Sequence, residues 1–480
     1  MKNSIFNNNT INNNPSKQKN FDIAAWIRFL RDNKVQKIFG DLPDARQKSK
    51  VKYPISALAM WAFNLCAFRQ GSKNCLQTTL DSLSKKDQEG FAKLLGIENH
   101  DIPHSSTVDY GLSRIPHEEI NKIFLNQIDA LIKKKLFYNH SELSPGNTLN
   151  IGIDGYWIHK YDHPHSVDQE GNNTCPYCLP RVHKRGTPME KTYWVHAFVT
   201  VTLVAENFVL PLYIYPLKAE QVDVKKNDAD LKQECELTAV HNILPFFRKK
   251  YPRLSMTFLG DALYANRPFL CLCEELKLEY MIVLKENLKI VNKKCDELST
   301  SEFYQKHYTH KEKEILNGSE VKRKAEWFNN VALGEDLYTN VLRFEETEDV
   351  KKSYKGQWLC SKKLFQNNCF KVAKRARMRW NHEDFHNTCK NRGFNIRHDL
   401  ARAEPNLLIV WKIITFLAFF FFELFRHTTL VKVAKKARSL TKFARDLLGE
   451  LLNITWELIE KSPILQKKRV QFRFHFGTGP

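Results

Sequence analysis

Between Thr148 and Lys285 the spacing of apolar residues changes in an order that few architectures accommodate. "TLNIGIDGYWIH", from Thr148, alternates Leu149, Ile151 and Ile153 with Asn150, Gly152 and Asp154, the period of a half-buried strand. "YWVHAFVTVTLVAENFVLPLYIYPL" then holds two β-rich runs around a turn at Glu206 and Asn207, so three strands form a meander. "DADLKQECELTAVHNILPFFRKKY" has helical spacing. "RLSMTFLGD" is a strand ending at Asp261, "RPFLCLCEELKLE" a helix and "YMIVLK" a short strand. Strand, helix and strand in close succession make a βαβ unit, which requires a partly parallel sheet. The expected class is α/β.

The flanks differ in character. Residues 1–20 are Asn-rich and polar, the composition of a disordered tail. Residues 21–145 read as an all-helical domain for DNA binding or dimerisation. "FDIAAWIRFLRD" and "PISALAMWAFNLCAF" carry apolar residues every three or four positions, and a cap is expected near Ser105 or Ser106. The α/β core spans 146–286, with a Cys- and His-containing excursion at 159–190. Residues 287–370 form a β-rich insertion, 371–460 return to helix, and 461–480 are a basic tail. A chain of 480 residues accommodates two to four domains.

Charge narrows the partner. Lys and Arg number 74 against 53 Asp and Glu, a net +21, which favours a polyanion and nucleic acid first. From Lys371 to Pro480 there are 22 basic and 9 acidic residues, so most of the excess lies in the last quarter. Eleven scattered cysteines and a polar first segment point to a reducing cytoplasm. "LLIVWKIITFLAFFFFELF", Leu407 to Phe425, is about long enough to span a bilayer. With Lys412 inside it and no second such segment, it is expected to be a buried core helix, not a membrane anchor.

Three carboxylates stand out against this background. Asp154 and Asp261 fall at strand ends, and Glu383 lies on the helix "RARMRWNHEDFHNTCKNRG". Arg379, Glu383 and Lys390 share one face of that helix. The bland reading is turn chemistry for the aspartates and a solvated charge pair for the helix. The element order is that of an RNase H-like fold, in which such carboxylates would converge at the sheet's edge. Gathered there, they need cations, and hard oxygen ligands suit magnesium or manganese.

These motifs resemble a DDE-type insertion-sequence transposase with the Tyr-x2-Arg-x3-Glu-x6-Lys signature. The likeness runs from Leu149 to Arg402 through "GIDGYWIH", "GDALYANRPF" and "RWNHEDFHNTCKNRGF". It implies an RNase H-like core with a β-rich insertion and metal-dependent cleavage at Asp154, Asp261 and Glu383. It also implies strand transfer into target DNA and a homodimer on the DNA. Arg379 and Lys390 would hold phosphates, with Lys374, Arg375 and Arg377 adding sequence-independent affinity. Trp327 and Trp358 would either stack on a displaced base or fill the core. The signature's Tyr falls on Ala376. That departure suits the alternative, a decayed or repurposed transposase that only binds DNA.

A second cluster follows the first strand. "DHPHSVDQEGNNTCPYCLPRVHKRG" offers Cys175 and Cys178 as C-x2-C, His183 after them, and His163 and His165 before. Cys175, Cys178, His183 and His163 are the expected zinc set. The plain alternative is two reduced cysteines in a loop. A zinc deaminase is excluded, because Thr174 and not Pro stands before Cys175, so the P-C-x-x-C element is missing.

Overall fold

A computed structural model describes residues 21–98, 101–139, 143, 148–218, 228–316, 318–334, 336–348, 352–398, 400–401, 404–431, 439–468 and 473–474. The Asn-rich segment 1–20 and part of the basic tail lie outside the described residues.

The fold is mixed α/β, built on one large sheet. Its strands are β1 (Leu149–Tyr161), β2 (Leu179–His183), β3 (Lys191–Ala205), β4 (Phe208–Pro216), β5 (Met256–Gly260) and β6 (Glu279–Val283). Four more follow: β7 (Thr309–Leu316), β8 (Ser319–Ala332), β9 (Tyr338–Glu348) and β10 (Lys352–Cys360). The order is β2-β3-β1-β5-β6-β10-β9-β8-β7, with β4 also paired to β3. β1–β5 and β5–β6 are parallel, and the other pairs are antiparallel. The turn between β3 and β4 falls at Glu206 and Asn207, where the β-rich run breaks.

The β-rich segment after residue 287 does not stand beside this sheet. It opens with two helices, Lys289–Ser299 and Glu302–His307, and its last strand pairs with β6 through Trp358↔Val283 and Cys360↔Met281. The sheet therefore continues through it.

Helices cover both faces. Gly155 of β1 lies against the Glu236 side chain of the helix Asp228–Lys250, so closely that a Cβ would overlap it. Gly152, on the opposite face, lies against His382 of the helix Arg379–Asn391. One residue's shift along a strand exchanges faces, so these two glycines locate a helix on each side.

The N-terminal helices share a core with the C-terminal ones. The helix Pro405–Arg426 buries every residue from Leu407 to Phe425, and it packs on Ile55–Ala67, His117–Lys133 and β4. Phe420 meets Phe124, Phe421 meets Phe63 and Phe425 meets Trp26, ring against ring. Each such side chain contributes roughly 1.5–3 kcal/mol by leaving water. Among the described residues this is the one helix long and apolar enough to cross a membrane, and its apolar window is wholly buried within the protein. Lys412 fits because its ammonium donates to the carbonyls of Ile396 and His398, at 2.6 and 2.7 Å.

Candidate functional site

The site begins with strand register. β1 and β5 run parallel with Gly152 opposite Leu259. Asp154 and Asp261 each lie two residues beyond this last pair, Asp154 on the same face of β1 as Gly152 and Asp261 just past the end of β5. Strand β5 ends at Gly260, and Asp261 caps the turn that follows, its Oδ1 accepting from Leu263 N at 2.9 Å. Behind both lies Tyr264. Burial, with the charges of Glu236, Asp154 and Asp261, pushes its phenol well above the usual value.

The helix Arg379–Asn391 covers this end of β1 and β3. It buries His382, Phe385, His386 and Cys389, at helical spacing, against the sheet. Its close approach depends on Gly152, since any Cβ there would meet His382 Nδ1 at 2.7 Å. Two threonines of β3 receive the imidazoles. Thr202 Oγ1 lies 2.5 Å from His382 Nδ1, and Thr200 Oγ1 lies 2.9 Å from His386 Nε2. Burial, and then the nearby Arg379, hold His382 down to about 3, so it is neutral. His386 turns Nδ1 toward Asp154 Oδ2, at 3.9 Å.

Asp154, His382 and His386 thus form a group able to hold a metal ion. Asp261 and Glu383 stand outside that group. Glu383, one third exposed, is held by Arg379 at 2.7 Å, four residues earlier on the helix. Asp154, expected at a strand end, lies mid-strand because β1 runs on along β3 to Tyr161, and the three predicted carboxylates do not meet at ligand distance.

The predicted cations divide sharply. Lys374 is exposed and pairs with Glu206 at 2.9 Å. Lys390 holds its ammonium 4.7 Å from the Tyr156 ring centre. Arg377 pairs with Glu346 at 2.7 Å and lies over Tyr354. With Arg323, Lys371 and Lys374 it lines a cleft of about 550 Å³ that also contains Glu206 and Glu346. Arg375, expected on the surface, is buried instead. It donates to Asn150 Oδ1 at 2.5 Å and Thr257 Oγ1 at 2.7 Å, and also to Thr148. Its guanidinium ties the helix Cys369–Arg377 to the starts of β1 and β5, so it is a core residue and not a phosphate contact.

Trp327 and Trp358 are core residues too, packed with Leu342, Phe344, Leu364 and Ala376. Neither is open to a base. Ala376 is buried because the chain turns at Met378, between two helices, and the preceding helix faces the β-rich strands. The exposed aromatic of the region is Trp380, 59% accessible, beside Arg379.

The Cys and His cluster assembles around a different pair of imidazoles. Cys175, Cys178, His165 and His196 place one ligand atom each within 4.8 Å of one another. His163 is exposed. His183 lies at the far end of β2, opposite Lys191, whereas Leu179 pairs with Val195 and so brings Cys178 next to His196. Four residues of strand carry His183 roughly 13 Å away. The hydrogen bond from Cys178, helped by His165 and His196, outweighs burial and holds the Cys175 thiol down to about 3; that bond and burial push Cys178 up.

His382 and His386 escaped sequence reasoning, although their spacing marks the buried face of the helix. His196 gave no motif signal, lying on a strand 18 residues beyond Cys178. Trp380 looked like one more apolar residue of a cationic helix. No family model matches the chain and no curated protein matches it, so its chemistry is read from these residues alone.

Proposed function

We propose that the chain is a DDE-type DNA transposase with an RNase H-like core. One observation carries the reading: β1 and β5 are parallel neighbours whose last pair is Gly152↔Leu259, so Asp154 and Asp261 each lie two residues past it, near the helix that carries Glu383. The strand order β4-β3-β1-β5-β6, an antiparallel meander continued by two parallel strands, supports the same fold. So does the basic cleft beside that helix, whose cations suit a phosphate backbone.

The donors gathered at Asp154 are its carboxylate and the imidazoles of His382 and His386, which suit manganese better than magnesium, and Asp261 would bring a second carboxylate from outside that group. Such ions supply an activated water and stabilise a leaving oxygen. The chain's own residues do the rest. Asp154 and Asp261 would hold the cations, with His386 beside Asp154. Glu383 joins when Arg379 exchanges its carboxylate for a DNA phosphate. The Arg379–Glu383 pair is then the resting state of the site. Double-stranded DNA is the partner, at element ends and at the target, and pairing two ends calls for a homodimer.

A second reading is favoured by one feature. Ala376 is buried at the place of the signature's Tyr, and Glu383 is already neutralised by Arg379. Both suit a chain that binds DNA without cutting it. A metal-dependent cleavage assay on end-containing DNA separates the two. Cleavage lost in Asp154→Asn and Asp261→Asn, with binding kept, supports the enzyme; binding without cleavage in the wild type supports the alternative.

A further inference from the structure

We propose that His165, Cys175, Cys178 and His196 form a closed, structural zinc site that fastens the 162–190 excursion to β3 beside the carboxylate site. Four observations converge. First, the distances suit a tetrahedral ion. Zinc–sulfur bonds near 2.3 Å and zinc–nitrogen bonds near 2.1 Å set S and N roughly 3.6 Å apart. His196 Nε2 lies 3.6 Å from Cys175 Sγ and 3.2 Å from Cys178 Sγ.

Second, both ring nitrogens of His165 are buried with no oxygen or nitrogen partner among the described residues and face only the Cys175 sulfur. Such a group costs on the order of 1–3 kcal/mol unless something takes it up, and a metal would. Its ring centre stands 4.5 Å from that of His196. Third, the sulfurs are prepared as thiolates are in such sites. The backbone N–H of His165 donates to Cys178 Sγ at 3.3 Å, and Asn173 Oδ1 accepts from Cys175 N at 2.9 Å, fixing the C-x2-C turn.

Fourth, ahead of β2, whose ladder to β3 holds Leu179–His183, the excursion has little else to hold it. From residue 162 to 178 the buried side chains are Cys175 and Cys178 alone. A segment without an apolar core needs a substitute, and a four-coordinate ion is one. Two thiolates and two imidazoles fill a tetrahedral shell, leaving no position for substrate, so the role is structural.

The position gives the site its consequence. His196 and Thr200 point to the same face of β3, four residues apart, roughly 13 Å along the strand. Thr200 pairs with Asp154 and receives His386. The zinc therefore holds the excursion alongside the face on which the carboxylates lie.

The test uses the full-length chain, purified under reducing conditions without added metal. Elemental analysis should find one zinc per chain. Cobalt substitution should give thiolate-to-metal charge transfer and the intense visible bands of a four-coordinate ion. Cys175→Ser with Cys178→Ser should abolish both signals. His165→Ala should lose its zinc to a chelator that the wild type resists, while His163→Ala and His183→Ala keep it. His196 is buried on a strand, so its variant can fail by misfolding; His165 lies on the excursion and avoids that problem. On metal removal, amide exchange should rise across 162–190 and stay unchanged in β5. A folded wild-type chain without zinc overturns the proposal, as does chelator resistance in His165→Ala or zinc loss in His163→Ala or His183→Ala.

Discussion

The ladder between β1 and β3 carries two groups of metal-capable side chains, built in opposite ways. At Ile158↔His196 the donors are soft, three of the four are buried, and all converge on a point. At Asp154↔Thr200 a partly exposed carboxylate stands with two buried imidazoles, His382 and His386, while Glu383 pairs with Arg379 outside the group. The difference is what the two chemistries require. Thiolates and imidazoles lose little by being gathered in a dry site, and a structural ion's binding energy counts as folding energy. Carboxylates repel one another and must remain open to substrate, so their final approach waits for cations and phosphate. On the proposed reading, one end of the ladder is completed by folding and the other by its ligands.

The largest effects should come from breaking the open end. Asp154→Asn or Asp261→Asn should reduce metal-dependent cleavage by roughly 10³-fold or more, since each removes a charge that holds the cation. DNA binding and the unfolding midpoint should stay near those of the wild type. If either variant cleaved at near-normal rates, the register argument would lose that residue.

Next in size is a contrast between two arginines on either side of the turn at Met378. Arg375 is closed in, with Thr148, Asn150 and Thr257 all depending on it. Arg375→Ala should cost on the order of 3 kcal/mol in denaturant unfolding, because it leaves buried acceptors unmatched. A loss of DNA affinity with unchanged stability would return Arg375 to the surface role expected of it.

Metal exchange tests the comparison directly. Dialysis into metal-free buffer should stop cleavage, and adding manganese or magnesium should restore it. The zinc content should survive that dialysis and fall on acidification, because its ligands must stay deprotonated. Cleavage that instead tracked zinc content would merge the two sites into one.

Much of this arrangement was legible in sequence where the signal was local. The end of β5 before Asp261 followed from alternation, and the buried helix around Lys412 from its length and single charge; Asp154 did not end its strand, because β1 runs on along β3 to Tyr161. What stayed hidden depended on distant pairing. Nothing near Trp358 announces that β10 pairs with β6, so the β-rich segment looked separate. The 369–391 stretch read as one cationic helix, but the turn at Met378 sends Arg375 and Ala376 into a core and leaves Trp380 outside. His165 was visible as one of three imidazoles near the cysteines. Choosing it required the β2–β3 register, which alone sets Cys178 beside His196. Spacing rules find ligands that follow one another along the chain and miss those delivered by a neighbouring strand.

The smallest effect distinguishes a phosphate contact from a charge pair. Arg379 now binds Glu383 and lies beside the exposed Trp380. If it exchanges that carboxylate for a DNA phosphate, Arg379→Ala removes one phosphate contact and one counterion's release. The salt dependence of binding should then fall by about one unit of slope, for all sequences alike. Cleavage should slow as well, because a scissile phosphate even about 1 Å out of place reacts far more slowly. Lys390→Ala should act in the same direction and more weakly, since an ammonium lacks the bidentate fork. The competing account makes Arg379–Glu383 an ordinary i,i+4 pair worth about 0.3–0.5 kcal/mol. Under that account the slope stays unchanged and only helix stability moves. Binding isotherms for Arg379→Ala across a range of salt concentrations, with Glu383→Gln beside it, separate the two. A slope reduced in Arg379→Ala and kept in Glu383→Gln assigns the phosphate to the arginine and leaves Glu383 for the cation.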